Sequence, residues 1–280
     1  MNDLTISSPK NLFAFLNRLE KKPSKSLSQN FLVDQNIIQK MVALANLSID
    51  DLIIEIGPGA GAITEALLNQ GHKVIAIEKD SKLAMGLKEQ FTSKNLTVIE
   101  GDILEIDLTK MVPPNKKIKI ISNLPFQITS LILGKLLPFY EIIDTLTLIM
   151  QKDVLDRILA KPGSKMISSL SIFTHFHAEA KHLFDIAPTC FFPKPRVTSA
   201  CFQLILKKPV LENGLEFIEF VRKGYNQRRK MLSSSLPFPS EQIQIALKEL
   251  KLLPLSRPEN LTLNHWIGLF KNLCSTSLAH

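Results

Sequence analysis

Cysteine is scarce in this chain. Cys190, Cys201 and Cys274 are odd in number and show no C-x-x-C spacing, which argues against a disulfide or zinc framework and for free core thiols in a reducing cytoplasm. Long apolar runs are missing as well: none reaches the length of about 20 residues that a membrane span needs, so no membrane partner is expected. The start is polar, with Asn2 and Asp3 ahead of any basic residue, and no secretory signal is read there. Repeats and low-complexity tracts are absent too. His175 and His177 stand two apart, which puts them on different faces of a helix, so no metal site is expected from them.

Apolar and basic residues are plentiful. Of 280 residues, 45% are hydrophobic, enough to fill the core of one α/β domain of roughly 200 residues and a smaller one beside it. The net charge of +8 is unevenly spread. Residues 31–206 hold 18 Lys and Arg against 18 Asp and Glu, residues 1–30 hold 5 against 2, and residues 207–280 hold 11 against 6. The surplus lies in two flanks of a neutral core, and a polyanion suits such flanks. Lys21 and Lys22 taken singly read as solvated surface. Arg222, Lys223, Arg228, Arg229 and Lys230 form a denser set. On one helix, positions 222, 226 and 229 would share a face, as would 223, 227 and 230, and RNA phosphates are their natural counterpart.

The chain divides by pattern into a basic arm with a short helix (1–24), a central region (25–206) and a C-terminal region (207–280) that reads as helical. In the centre a helix is predicted over 34–46. Apolar strands at 53–56, 73–77, 96–100, 118–122 and 146–150 alternate with helices, which predicts a parallel sheet with crossover helices. Residues 188–197 hold three prolines and cannot be helical; 201–206 resume as a strand. Lys207-Lys208-Pro209 reads as the linker.

The chemistry sits where these strands end. Ile53-Ile54-Glu55-Ile56-Gly57-Pro58-Gly59-Ala60-Gly61 is a strand running into a glycine turn of spacing G-x-G-x-G, not the G-x-G-x-x-G of dinucleotide binders. Glycine there permits positive φ and close approach of a ligand. Glu55 would be unhelpful beside a pyrophosphate but suits an amino-bearing ligand. Glu78 ends the next strand, 21 residues after Gly57, where an acid can bind ribose hydroxyls; next to Asp80 it also reads as a helix N-terminal charge. Asp102 follows the third strand and could accept from an adenine amino group, or cap a turn. Asn123-Leu124-Pro125-Phe126 follows the fourth: an amide with donor and acceptor, a stiff proline without an N–H, and a flat aromatic face. That set can hold a planar ring bearing an exocyclic amino group.

In this order the motifs resemble the S-adenosylmethionine-dependent rRNA adenine N6,N6-dimethyltransferase family, most closely its bacterial branch acting on small-subunit rRNA. The resemblance also covers Ser28-Gln29-Asn30-Phe31-Leu32, Met150-Gln151-Lys152-Asp153-Val154, Phe191-Phe192-Pro193-Lys194-Pro195-Arg196-Val197-Thr198-Ser199, Tyr225-Asn226-Gln227-Arg228-Arg229-Lys230 and Arg257-Pro258-Glu259. It implies a Rossmann-like α/β methyltransferase sheet over 25–206 with a small helical, RNA-binding domain over 207–280, and S-adenosylmethionine as methyl donor without a metal. It also implies that Asn30 and Leu32 close over the cofactor and Gly57 approaches its amino-acid end. Glu78 would bind its ribose and Asp102 its adenine, while Asn123 borders cofactor and target base. Asn123 and the Leu124 carbonyl would hold the adenine N6 hydrogens. Phe126, where the family more often has Tyr, would stack on the base, with Phe191 as the second stacking partner. The expected partner is small-subunit rRNA within the pre-30S particle, met in the cytoplasm by a protein taken as a monomer. A large-subunit rRNA dimethyltransferase of the macrolide-resistance type shares nearly every core motif, and a non-catalytic RNA-binding assembly factor is the alternative from another class.

Overall fold

The computed structural model describes residues 6–24, 27 and 29–274; the first residues of the basic arm and Ser28 of the Gln-Asn-Phe-Leu motif lie outside them. The chain forms two compact units, one of 1–155 with 180–206 and one of 156–179 with 207–280. This differs from the three consecutive segments expected. The arm belongs to the first unit, and 156–179 leave the central region for the C-terminal one.

The first unit is built on a seven-stranded sheet of order β4-β3-β2-β5-β6-β9-β7. Its strands are β2 (Leu52–Ile56), β3 (Lys73–Glu78), β4 (Leu96–Glu100), β5 (Ile118–Asn123), β6 (Ile143–Gln151), β7 (Ala178–Ile186) and β9 (Ser199–Leu206). Strands β2 to β6 pair in parallel, and β9 joins β6 antiparallel, with Leu148 opposite Phe202. β-Branched side chains dominate the central strands, and Ile53, Ile54, Val74, Ile77, Ile118, Ile120 and Ile121 are buried, the pattern of a parallel sheet covered on both faces. Helices α2 (Gln35–Leu44), α3 (Ala62–Asn69), α4 (Ser81–Gln90) and α5 (Thr129–Leu136) accompany these strands. A two-stranded ribbon pairs β1 (Phe31–Leu32) with β8 (Phe191–Phe192), Leu32 opposite Phe191.

The arm contributes α1 (Pro9–Arg18), started by Ser8, whose hydroxyl accepts from the Asn11 N–H. Leu12, Phe15, Leu16 and Leu19 on one face join Leu83 and Phe31 in a buried cluster. At Gly86 of α4 the side chains of Phe15 and Leu19 fill the space a Cβ would take, so the two helices meet where glycine leaves room.

In the second unit α7 (Ser169–His177), α8 (Gly214–Asn226), α10 (Ser240–Glu249) and α11 (Leu263–Cys274) enclose Phe176, Phe217, Phe220, Trp266 and Phe270. Phe176 lies 4.7 Å from Phe217 by ring centroids, and Trp266 5.8 Å from Phe220. These rings draw 156–179 into the C-terminal core. Among the described residues of the stretch expected to be helical, 207–274, the regular elements are all helices.

Candidate active site

Four parallel strands end at one edge of the sheet, and the cleft there is lined by Gln29 to Leu32, Glu55 to Ala60, Glu78, Lys79, Asp102 and Asn123 to Gln127. The floor is the turn after β2. Gly57, Gly59 and Gly61 all take positive φ (61°, 62° and 90°), conformations that cost other residues strain. The Phe31 ring lies against Gly59, 3.0 Å from where a Cβ would stand, so the ribbon and the glycine turn close on each other at the cleft.

Glu78 is 6% exposed. Its carboxylate accepts from the Gly59 N–H at 3.0 Å and from the Asp80 N–H at 2.9 Å. Burial pushes its carboxyl above the ordinary range, against the pull of those N–H donors. It therefore holds the glycine turn as well as facing the cleft. Asp80 is the N-cap of α4, accepting from the Leu83 N–H, so the capping duty that the sequence also allowed Glu78 falls to its neighbour.

Asp102 accepts from Lys79 Nζ at 2.6 Å and from the Leu104 N–H at 2.9 Å, and the two hold its carboxyl below the ordinary range. Each carboxylate oxygen has a second lone pair, so an amino group can still be met there. Glu55 is fully buried under the glycine turn and accepts from Thr64 Oγ1 at 2.5 Å. Burial pushes it up to about 8, and neighbouring Glu78 adds to the rise. At neutral pH it is held largely as the neutral acid.

Asn123 ends β5. Its Nδ2 donates to the Asn30 carbonyl at 2.9 Å, which fixes the amide, while its Oδ1 is buried without a hydrogen-bond partner. A buried acceptor left unpaired costs about 1–3 kcal/mol, and such groups persist where a ligand will satisfy them. Leu124 is buried and anchored by its N–H to the Ile149 carbonyl at 3.0 Å. Phe126 is half-buried in a short 3-10 turn and lines the cleft.

The structure thus brings together Asn30, Leu32, Gly57, Glu78, Asp102, Asn123, Leu124 and Phe126. Phe191 is not among them. Its ring is 3% exposed, packed with Leu32, Ile149 and Cys201 in the core, so stacking on a base does not follow from its position. Phe31, which the sequence offered only as part of a motif, is an aromatic that does line the cleft.

The family model for ribosomal RNA adenine dimethylase matches residues 20–274. The chain belongs to the ribosomal RNA adenine dimethylase family. Within this family, ribosomal RNA small subunit methyltransferase A of Chlamydia caviae is 39% identical over 97% of this chain and 99% of its own length. Its counterpart from Lachnoclostridium phytofermentans is 35% identical over 94% and 96%. Among solved structures, a dimethyladenosine transferase from Plasmodium falciparum superposes with a TM-score of 0.74 at 24% identity, covering 87% of this chain and 97% of that one. The 23S rRNA methyltransferase ErmE gives 0.68 at 24%, covering 88% and 100%. These two likenesses bear on the fold, which is the α/β methyltransferase sheet expected.

The family's methyl donor is S-adenosylmethionine, and the cleft fits it. Gly57 leaves room against the backbone, where a Cβ would meet nothing nearer than the Pro125 ring at 3.9 Å, Glu78 and Asp102 supply acceptors at successive strand ends, and the orphaned Asn123 Oδ1 waits for a donor.

The basic set of the C-terminal unit divides. Arg222 and Lys223 are exposed on α8, and Arg229 and Lys230 are exposed beyond it. The helix stops at Asn226, and a turn closes with the Lys230 N–H donating to the Gln227 carbonyl, so 229 and 230 do not continue its faces as the spacing suggested. Arg228 is engaged within the fold: Nη2 donates to the Lys165 carbonyl at 2.5 Å, and Nε lies 3.5 Å from Glu259 Oε2. Tyr225 is structural as well, its ring stacked on Trp266 and its hydroxyl donating to the Pro258 carbonyl at 3.2 Å. His175 and His177 each place a ring nitrogen 2.9 Å from a backbone carbonyl, that of Ile158 and of Phe173. Among the described residues no helix is long and apolar enough to cross a membrane.

Proposed function

We propose that this protein converts two adjacent adenosines in the 3′-terminal hairpin loop of small-subunit rRNA to N6,N6-dimethyladenosine, with S-adenosylmethionine as donor. The observation that carries this reading is the Asn123 amide: clamped through Nδ2 by the Asn30 carbonyl, it leaves Oδ1 as a buried, unpaired acceptor at the cleft. The relatives of 35–39% identity over nearly the whole chain are small-subunit enzymes by name, which supports the choice of subunit.

When bound, S-adenosylmethionine supplies a methyl group already made electrophilic by its sulfonium. Glu78 is suited to the ribose hydroxyls and Asp102 to the adenine amino group, while Asn30 and Leu32 would close over the cofactor and Gly57 would approach its amino-acid end. What remains for the protein is to make N6 of the target adenine nucleophilic, because its lone pair is delocalised into the ring. Asn123 Oδ1 and the Leu124 carbonyl can take the two N6 hydrogens and favour a pyramidal nitrogen. No strong base is required before attack, since N6 becomes acidic once alkylated. The chain's contribution is orientation in a dry pocket. Extruding the base costs a few kcal/mol, and stacking on Phe126 can return about 1–3 kcal/mol. Arg222, Lys223, Arg229 and Lys230 would meet rRNA phosphates, with Arg228 stiffening the turn that presents them. The substrate is rRNA within the pre-30S particle in the cytoplasm, the enzyme acts as a monomer, and no metal takes part.

The test is transfer of labelled methyl from S-adenosylmethionine to unmethylated small and large ribosomal subunits in parallel, with the digested RNA analysed for N6,N6-dimethyladenosine. Dimethyladenosine confined to small subunits is the expected result. Label confined to large subunits overturns the choice of subunit, and cofactor binding without product on either overturns catalysis.

A further inference from the structure

Lys21 belongs to the basic flank that a polyanion would meet, yet its ammonium is turned inward. Its side chain is 14% exposed and its Nζ lies 2.5 Å from Asp80 Oδ2, on a side chain only 9% exposed. The backbone puts it there. Two residues past the end of helix α1, Glu20 takes a φ of 48°, its N–H donating to the Asn17 carbonyl, while the Lys21 N–H donates to the Leu16 carbonyl. This double closure folds the chain back along its own helix and aims Lys21 at the start of α4.

Asp80 is a hub. Its Oδ1 caps α4 through the Leu83 N–H, its Oδ2 also receives Gln29 Nε2 at 3.5 Å, and its own N–H donates to Glu78 Oε1. Gln29 is tied in turn to Ser24, accepting from the Ser24 N–H at 2.8 Å and donating its own N–H to the Ser24 carbonyl. Both ends of the segment from Lys21 to Gln29 are thereby held at one carboxylate, one residue's breadth from the acid of the cleft. Immediately after Gln29 come Asn30, Phe31 and Leu32, which line the cleft and supply the carbonyl that clamps Asn123.

We propose that Lys21 and Asp80 form a latch that seats Gln29-Asn30-Phe31-Leu32 over the cofactor cleft, which makes Lys21 a positioning residue for S-adenosylmethionine binding and not an RNA contact. The inference rests on the cofactor reading above. Burial alone would raise the Asp80 carboxyl, but the bonds from Lys21 and the Leu83 N–H outweigh it and hold the group below its ordinary range, consistent with an ionised partner. Removing one member of such a pair leaves a buried charge uncompensated.

The test is calorimetric titration of the full chain with S-adenosylhomocysteine, alongside kcat at saturating S-adenosylmethionine and affinity for small-subunit rRNA. Lys21→Met is expected to weaken S-adenosylhomocysteine about tenfold or more, with kcat within about twofold and rRNA affinity unchanged. Asp80→Asn keeps a helix-capping side chain, and in the double variant it should add nothing to the loss caused by Lys21→Met, the mark of two groups acting as one. Gln29→Ala, which frees the other end of the segment, should weaken the same ligand and serves if Lys21→Met does not fold. Wild-type affinity for S-adenosylhomocysteine in Lys21→Met, or a loss confined to rRNA, overturns the latch. A wild-type chain that binds no S-adenosylhomocysteine overturns the cofactor reading itself.

Discussion

Replacing Asn123 by alanine separates function from framework more sharply than any other single change. The substitution deletes the bond from Nδ2 to the Asn30 carbonyl, worth about 0.5–1.5 kcal/mol net. It also deletes Oδ1, which is buried without a partner and costs about 1–3 kcal/mol as it stands. The two nearly cancel, so stability should change by no more than about 1.5 kcal/mol. For a unit of this size that is a shift in Tm of at most about 5 °C. Turnover should behave otherwise, because Oδ1 is the acceptor for the reacting amine. Loss of one preorganised polar contact of this kind costs about 100- to 1000-fold in kcat. Thermal unfolding and methyl transfer measured on the same preparation decide the matter. Turnover within about threefold of wild type refutes the acceptor role, and a Tm lowered by more than about 10 °C would make Asn123 a framework residue.

Gly61→Ala should lower stability by about 2–4 kcal/mol by thermal unfolding, since φ is 90° and the new methyl would stand 2.5 Å from the Phe91 ring and 2.7 Å from Leu87; an unchanged Tm would show that those side chains yield. Glu55 has its folded pKa raised to about 8, so between its unfolded value of 4.5 and about 8 the folded state keeps a proton that the unfolded chain has released, and stability falls across that window. Glu55→Gln should therefore gain in Tm over wild type as pH climbs from 4.5 to 8, and parallel curves would contradict a buried neutral acid. Arg229→Glu with Lys230→Glu should weaken rRNA binding, flatten its salt dependence and spare S-adenosylhomocysteine. Arg228→Glu should instead lower thermal stability, because Arg228 holds the Lys165 carbonyl; an equal effect of both changes on stability would remove the distinction.

The parallel sheet and the acids at its edge were legible because their signals are local. Each strand is a short apolar run; Glu78 and Asn123 stand where such a run stops and Asp102 follows one by two residues, which in a parallel sheet is where ligands meet the backbone. Lys21 was not legible. Its partner is 59 positions away along the chain, and a lysine in a basic flank looks the same whether it faces solvent or a buried carboxylate. Phe191 illustrates a different limit: Phe191 and Phe192 point to opposite sides of β8, and nothing in Phe-Phe-Pro tells which side is core. Arg229 and Lys230 were read by helical spacing, but the helix ends before either of them, at Asn226, where no glycine or proline marks the stop. The apolar residues of 167–176 could have served either core, and only the rings of α8 and α11 decide which.

That last assignment bears on how the protein emerges from the ribosome that makes it. The first unit lacks β9, the strand between β6 and β7, until residue 206 has been synthesised. Phe176 is made well before then, but its neighbour Phe217 and the Phe270 beyond it come only with the last third of the chain. The nascent polypeptide must therefore carry α7 unburied while it finishes the sheet. A chain cut at residue 206 would keep Ile172 and Phe176 without the core that hides them, a surface that invites aggregation.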